Sequence, residues 1–173
     1  MDFTPFMLTA LPEPYAMINR LRRAHFSMTA HTHRFWQLIL VTDGALTVST
    51  ATGAQTIAAG QVHILPPGSA HALASDGYTQ LGLDLTDDDP RGLVRMLAAR
   101  FAGPAVLAVG QSQLDAEMAA LWAQSTDWAR AQLIHRADGL LLACIAARTA
   151  ARGDGALLDY LDAHLADGVR LDD

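Results

Sequence analysis

The sequence predicts an α+β chain that is mainly β, an antiparallel barrel or jelly roll followed by α-helices. Three observations carry that expectation. Between Arg22 and Leu85, short apolar or alternating runs are broken by turn signals. After Asp87-Asp88-Asp89-Pro90 the apolar period becomes helical. Of the 173 residues, 51% are hydrophobic, which is ample for a core and excludes a wholly disordered chain.

The strand runs, in order, lie near HFSM, FWQLILV, ALTVST, QTIAA, VHILP, HALAS and YTQLGLDL. Thr42-Asp43-Gly44 and Thr52-Gly53-Ala54 read as hairpin turns. On the strand Phe35–Val41, His33, Phe35, Gln37 and Ile39 share one parity and are expected inside. Trp36, Leu38 and Leu40 then face outward and need a cover. The later helices, the N-terminal arm (residues 1–20), a second subunit or the fold's own sandwich are candidates for it.

Asp89 is the expected N-cap of a first helix, with Pro90 at its first position. That helix carries Leu93, Val94, Leu97 and Phe101 and stops near Gly103-Pro104. Ser112 opens a second, with Asp115 three residues on as a capping-box variant. Its stripe is Leu114, Met118, Leu121 and Trp122, the expected dimerisation surface. A third helix carries Leu133, Ile134, Leu141, Cys144 and Ile145 and breaks at Arg152-Gly153-Asp154-Gly155. A short fourth carries Leu157, Leu158, Leu161 and Leu165. The expected divisions are a barrel with its arm (1–88), a helical dimerisation region (89–152) and a C-terminal segment (153–173).

Charge and composition narrow the function. The formal net charge is −6, and all 12 basic residues are arginine. An acidic chain is a poor stand-alone nucleic-acid binder. Lysine-free, alanine-rich composition points to a GC-rich bacterial gene. The N-terminus lacks a basic n-region, so no secretory signal is expected, and no window suits a membrane span. The single cysteine, Cys144, excludes an internal disulfide and fits a reducing cytoplasm. It lies on an apolar helical stripe and reads as a core residue rather than a nucleophile.

His31, His33, Gln37 and His71 form the most informative constellation. Two imidazoles two residues apart, an amide four later and a distant histidine can converge on one ion. Zinc, nickel, copper or iron accepts such nitrogen-rich ligation. Gln37 adds no negative charge and removes an acid/base role at that position. The same side chains also serve as polar pocket lining without a metal. His63, between Val62 and Ile64, reads as a surface or rim histidine. His25, His135 and His164 lack partners at matching spacing.

His31-Thr-His33, three residues, Gln37, six residues, Gly44 resembles the first motif of the cupins, with glutamine where many have glutamate. Gly60, five residues, Pro66-Pro67-Gly68, two residues, His71 resembles the second, with Ser75 replacing the usual asparagine. The two lie in order with 15 residues between Gly44 and Gly60. The resemblance implies a double-stranded β-helix barrel over residues 15–86. Residues 157–173 resemble the opening of the helix-turn-helix domain of AraC-type transcription regulators. In that family a cupin senses an effector, helices dimerise, and C-terminal helix-turn-helix units bind DNA. The resemblance implies that 153–173 are a linker and the first helix of a truncated helix-turn-helix domain.

The function so expected is effector sensing and dimerisation in a regulator whose DNA-binding part lies outside this chain. A small molecule would contact His31, His33, Gln37 and His71, directly or through a divalent transition metal. Phe35, Ile39 and Leu73 are expected as further pocket walls. A homodimer is expected, and no catalytic residue is assigned. The alternatives are a small metal-dependent cupin enzyme (dioxygenase, isomerase or lyase) and a cupin scaffold without ligand.

Overall fold

The computed structural model of the chain describes residues 3–110 and 113–152. Its elements are β1 (Phe6–Leu8), β2 (Tyr15–His31), β3 (Trp36–Thr50), β4 (Gly53–Ala58), β5 (Gln61–Leu65), β6 (His71–Leu85), α1 (Leu93–Arg100), β7 (Ala105–Ala108), α2 (Leu114–Gln124) and α3 (Asp127–Arg152). The expected helix-turn-helix opening over 153–173, with Leu157 to Leu165 and His164, lies outside the described residues, as does Ser112.

The strands pair antiparallel in the order β1-β2-β6-β3-β5-β7. β3 bonds to β6 along its length on one side. On its other side it bonds first to β5, at Gln37–Leu40, and then to β4, at Ala45–Thr50. Both faces of the sheet are occupied. The inner face holds Ile39, Val41, Leu46, Val48, Ile57, Leu73 and Tyr78. The outer face sets Trp36, Leu38, Leu40, Leu81, Leu83 and Leu85 against Leu97, Met118, Leu133, Leu141 and other helical residues. The helices and the arm of the same chain therefore supply the cover for Trp36, Leu38 and Leu40.

Two bulges bend the long strands. The β3–β6 register shifts between Val41 and Asp43 and again between Ala45 and Thr47. Inward residues on β3 are odd up to Val41 and even from Leu46; on β6 they are odd at Leu73 and even at Tyr78. Such one-residue slips are what a bulge produces. Thr42-Asp43-Gly44 is thus a bulge inside one continuous strand, not a hairpin turn. Gly44 sits at φ +71°, and a Cβ there would run into the carbonyl oxygen of Gly77. The β3–β4 hairpin turns instead at Ala51-Thr52, with Thr50 opposite Gly53.

Two further strands join the sheet, and one expectation, the Asp89 N-cap, is corrected. The arm is docked on the sheet and helices. β1 pairs with β2, Phe6 and Leu8 are buried, and Phe6 stacks on Trp122 at 5.2 Å between centroids. Arg20, on β2, donates to the Thr4 carbonyl at 2.9 Å and grips Asp115 of α2 through Nε at 2.7 Å. Residues 105–108, after Gly103-Pro104, form β7 on the edge of β5. Asp89 caps the first helix from a distance: its carboxylate accepts from the Val94 amide at 2.6 Å, while Gly92 takes the N-cap position.

The expected dimerisation stripe divides between buried and half-buried residues. Leu114 and Met118 are buried against the chain's own sheet and helices. Leu121 and Trp122 are half-buried and pack on the same core. Leu114 and Met118 are spent on the intramolecular core, while Leu121 and Trp122 keep part of their surface exposed. Cys144 is buried, as its stripe requires, and burial pushes its thiol up to about 12.

Gly44→Ala is expected to destabilise the fold by about 2–4 kcal/mol, because it combines a left-handed φ with a backbone collision. Urea unfolding of wild type and variant measures it; a change below about 0.5 kcal/mol contradicts the role given to the bulge.

Candidate functional site

The bulged geometry brings the two ends of the histidine pattern together. His31 ends β2 and His71 opens β6, and the register pairs them directly across the ladder. His71 also pairs with Thr50 on β3. His33 lies in the connection after β2. Ring centroids are 4.3 Å apart for His31 and His71, 4.9 Å for His31 and His33, and 4.9 Å for His33 and His71. One ring nitrogen from each of the three lies within 4.8 Å of the others. Phe35 stacks on His33 at 4.5 Å.

Backbone carbonyls set two of the tautomers. Nδ1 of His31 lies 2.8 Å from the Thr29 oxygen, and Nδ1 of His71 lies 2.9 Å from the Ser69 oxygen. A carbonyl only accepts, so each Nδ1 carries the proton and each Nε2 keeps a lone pair. Nε2 of His71 is buried without a hydrogen-bond partner. Burial, opposed by the Ser69 backbone hydrogen bond and aided by His31, holds His71 below the usual histidine range. Burial, then His71 and His31, do the same for His33. Neutral imidazoles with bare nitrogens facing one another have the donor chemistry of a transition-metal site, so these residues fit such an ion.

The other expected residues divide. Gln37 reaches His33 and Asp84: its Oε1 is 3.2 Å from His33 Nε2, and its Nε2 donates to Asp84 Oδ1 at 3.2 Å. Ile39 and Leu73 are both in the inner apolar cluster. Phe35 is half-buried against His33. A cleft of about 270 Å³ lined by Val48, Thr50, Thr52, Gln55, His63 and Pro104 among others adjoins the histidines through Thr50.

His63 and Asp84 were not expected here. His63 is only 2% exposed, pairs with Ile39 across β5 and β3, and has a buried Nδ1 without a partner. It is therefore an interior residue, not a rim one. Val62 and Ile64 belong to the outer core, so alternation sends His63 inward. Asp84 stands between Leu83 and Leu85, both outer-core residues, and is buried for the same reason. A carboxylate at an alternate position in an apolar strand was the signal in the sequence. Burial pushes Asp84 up to about 6, opposed by the Gln37 hydrogen bond, and burial lowers His63 to about 4.

Residues 15–143 match the family of AraC-like ligand binding domains. The chain belongs to that family. Among solved structures, the AraC-like domain is similar to a cupin superfamily protein from Desulfitobacterium hafniense (16% identity, 50% of this chain and 82% of that one, TM-score 0.42). It is similar to a cupin-2 domain protein from Shewanella frigidimarina (15% identity, 49% and 82%, TM-score 0.41). It is also similar to YhaK from Escherichia coli (16% identity, 61% and 51%, TM-score 0.46). No significant match was found among curated protein sequences. No described helix of the AraC-like domain is long and apolar enough to cross a membrane.

The pH dependence of stability follows from His63. Its folded pKa of about 4 lies below the unfolded value near 6.5, so the unfolded chain binds the extra proton. Stability is lost as pH falls from about 6.5 to about 4. Asp84 works in the opposite direction, adding stability as pH falls from about 6 toward 4. His63→Leu is expected to remove roughly 2–3 kcal/mol of the acid-induced loss. Urea unfolding of chelator-treated protein at pH 7 and pH 4.5 measures it, and parallel losses in wild type and variant contradict the assignment.

Proposed function

We propose that this AraC-like domain senses a small effector in the cupin barrel and controls a DNA-binding domain outside the chain. The observation that carries the reading is the convergence of His31, His33 and His71 near a cleft lined in part by the inner-face residues Val48 and His63, in a member of a ligand-binding family. The three imidazoles would hold a divalent transition metal such as zinc, nickel, copper or iron. Bound there, such an ion supplies a Lewis-acid anchor for a donor atom of the effector. The chain's own residues orient the imidazoles and present Ile39 and Leu73 as the apolar floor.

Linkage supplies the regulatory step. An effector shifts the domain only as far as it prefers one arrangement over another, and about 1–3 kcal/mol is a useful switch. Two polar links tie sheet to helices. Arg20 of β2 holds Asp115 of α2, and Tyr15 of β2 donates to Asp138 of α3 at 2.6 Å. Arg91 holds the other carboxylate oxygen of Asp138 at 2.7 Å. Displacement of the sheet would reach the helices through these contacts. The helical layer would pair with a second copy, using surface other than the buried Leu114 and Met118.

A second reading, a metal-dependent enzyme, draws on the same three imidazoles and on buried Asp84 beside them. Loss of the Gln37 position as an acid or base weighs against it.

Zinc or nickel is expected to raise the thermal midpoint of the chelator-treated protein, and His71→Ala to weaken metal binding at least 100-fold in calorimetry. A variant that retains wild-type metal content removes His71 from the donor set. Sedimentation velocity is expected to show concentration-dependent dimers; a monomer at high concentration rejects the pairing. A thermal-shift series of sugars, aromatic acids and other metabolites, with and without metal, tests for the effector. Turnover of any stabilising compound would favour the enzyme reading.

A further inference from the structure

The outer face of the sheet turns polar one row beyond its leucines. Ile18, Arg20 and Arg22 share that face of β2, and the ladder sets Arg20 beside Leu81 and Arg22 beside Thr79 on β6. Asp43, at the bulge of β3, flanks Thr79 from the other side. Here a cavity of about 380 Å³ lies between the sheet, the arm and α2. Phe3 of the arm, Arg20, Arg22, Asp43 and Thr79 of the sheet, and Asp115 of α2 line it.

Two of these polar side chains are buried, Arg20 and Thr79, each 5% exposed. A guanidinium carries five N–H groups. Nε and Nη2 of Arg20 donate to the two carboxylate oxygens of Asp115, and Nη1 donates to the Thr4 carbonyl. One N–H on each Nη is left without an acceptor among the described hydrogen bonds. Buried donors without acceptors are costly, and the cavity that Arg20 lines is where an acceptor can be supplied. The Phe3 ring lies 4.6 Å from the guanidinium carbon and supplies an apolar wall.

We propose that this cavity binds a small zwitterion of the α-amino-acid class, its carboxylate on Arg20 and Arg22 and its ammonium group on Asp43. Charge selects the class. Two arginines and two aspartates leave the lining formally neutral. Arg20 and Asp115 neutralise each other. Arg22 and Asp43 are exposed and take part in none of the described residues' ion pairs. A simple anion would meet Asp43 and Asp115, and a simple cation would meet two guanidinium groups; a zwitterion meets opposite charge at each end. Arg22 and Asp43 stand on the two strands that flank Thr79, so their backbones are roughly 10 Å apart. That gap admits the ligand's central carbon above Thr79. The site uses none of the histidines, needs no metal and is independent of the function proposed above. A ligand in it touches the arm, the sheet and α2 at once, and so strengthens the docking that Arg20 begins.

Calorimetry of the metal-free full chain at neutral pH, with each standard amino acid in turn at up to about 10 mM, tests the class. At least one is expected to bind. Its analogues lacking the ammonium or the carboxylate group should bind roughly 10–100-fold more weakly. Arg22→Ala and Asp43→Asn change exposed side chains and leave the Arg20–Asp115 pair in place, and circular dichroism checks that both variants are folded. Each should weaken the same amino acid by a similar factor, and Asp43→Asn should also narrow its advantage over the analogue without the ammonium group. His71→Ala should leave the affinity unchanged.

Absence of binding by every amino acid overturns the proposal. So does an affinity that survives both Arg22→Ala and Asp43→Asn, or a singly charged analogue that binds as tightly as its parent. Affinity lost in His71→Ala places the ligand at the histidines and overturns this site. Failure of the protein to bind zinc or nickel refutes the metal reading above and leaves this test standing.

Discussion

Leu38, Leu40, Leu81, Leu83 and Leu85 point away from the barrel interior, and water would meet all five if the helices were absent. Strand alternation then sends their neighbours Gln37, Ile39, Gln80, Gly82 and Asp84 to the other side. A sheet buried on both faces therefore has two consequences. The helices must lie on the outer face, because exposed leucines at this density cost about 25 cal/mol for each Å² left in water. The inner face must satisfy its polar groups internally, because burial without a partner costs about 1–3 kcal/mol per group. The inner chain meets that demand. Tyr78 donates to Gln80, and Gln80 donates to Asn19, all three buried. Gly82 leaves the room that the Asn19 side chain occupies.

The histidine group is the exception to this satisfaction. Nε2 of His71 and Nδ1 of His63 are buried without partners. Each buried imidazole nitrogen without a partner is a cost that the surrounding sheet does not offset. The lone pair of His71 Nε2 is what a metal ion or a donor group of an effector would take up. These unpartnered nitrogens lie at the end of the barrel that holds the cleft lined by Val48, Thr50 and His63.

Much of this architecture was legible in the residues. The barrel over residues 15–86 and the helices after Asp89 agree with β2 to β6 (Tyr15–Leu85) and with α1 to α3. The three histidines meet as their motif spacing implied. What escaped sequence reading has identifiable causes. Thr42-Asp43-Gly44 has the composition of a hairpin turn, but continued pairing with β6 keeps the strand running and makes it a bulge. β7 is a four-residue run with no alternation of its own, and only the free edge of β5 makes it a strand. Leu114 and Met118 form a stripe that suits a partner subunit or the chain's own sheet equally well, and periodicity cannot tell the two apart.

By itself, then, the sequence determined the family, the order of barrel and helices, and the convergence of His31, His33 and His71. Motif spacing, a local quantity, carries these, although it is the β2–β6 register rather than the parity of one strand that sets His31 opposite His71. Tertiary structure decided the rest. It placed His63 inside, docked the arm, turned the α2 stripe inward and paired Gln37 with Asp84. Each of these depends on which face of a strand or helix meets another element. A strand whose two faces are both buried looks the same from either side until the bulges and the helical layer assign an inside and an outside.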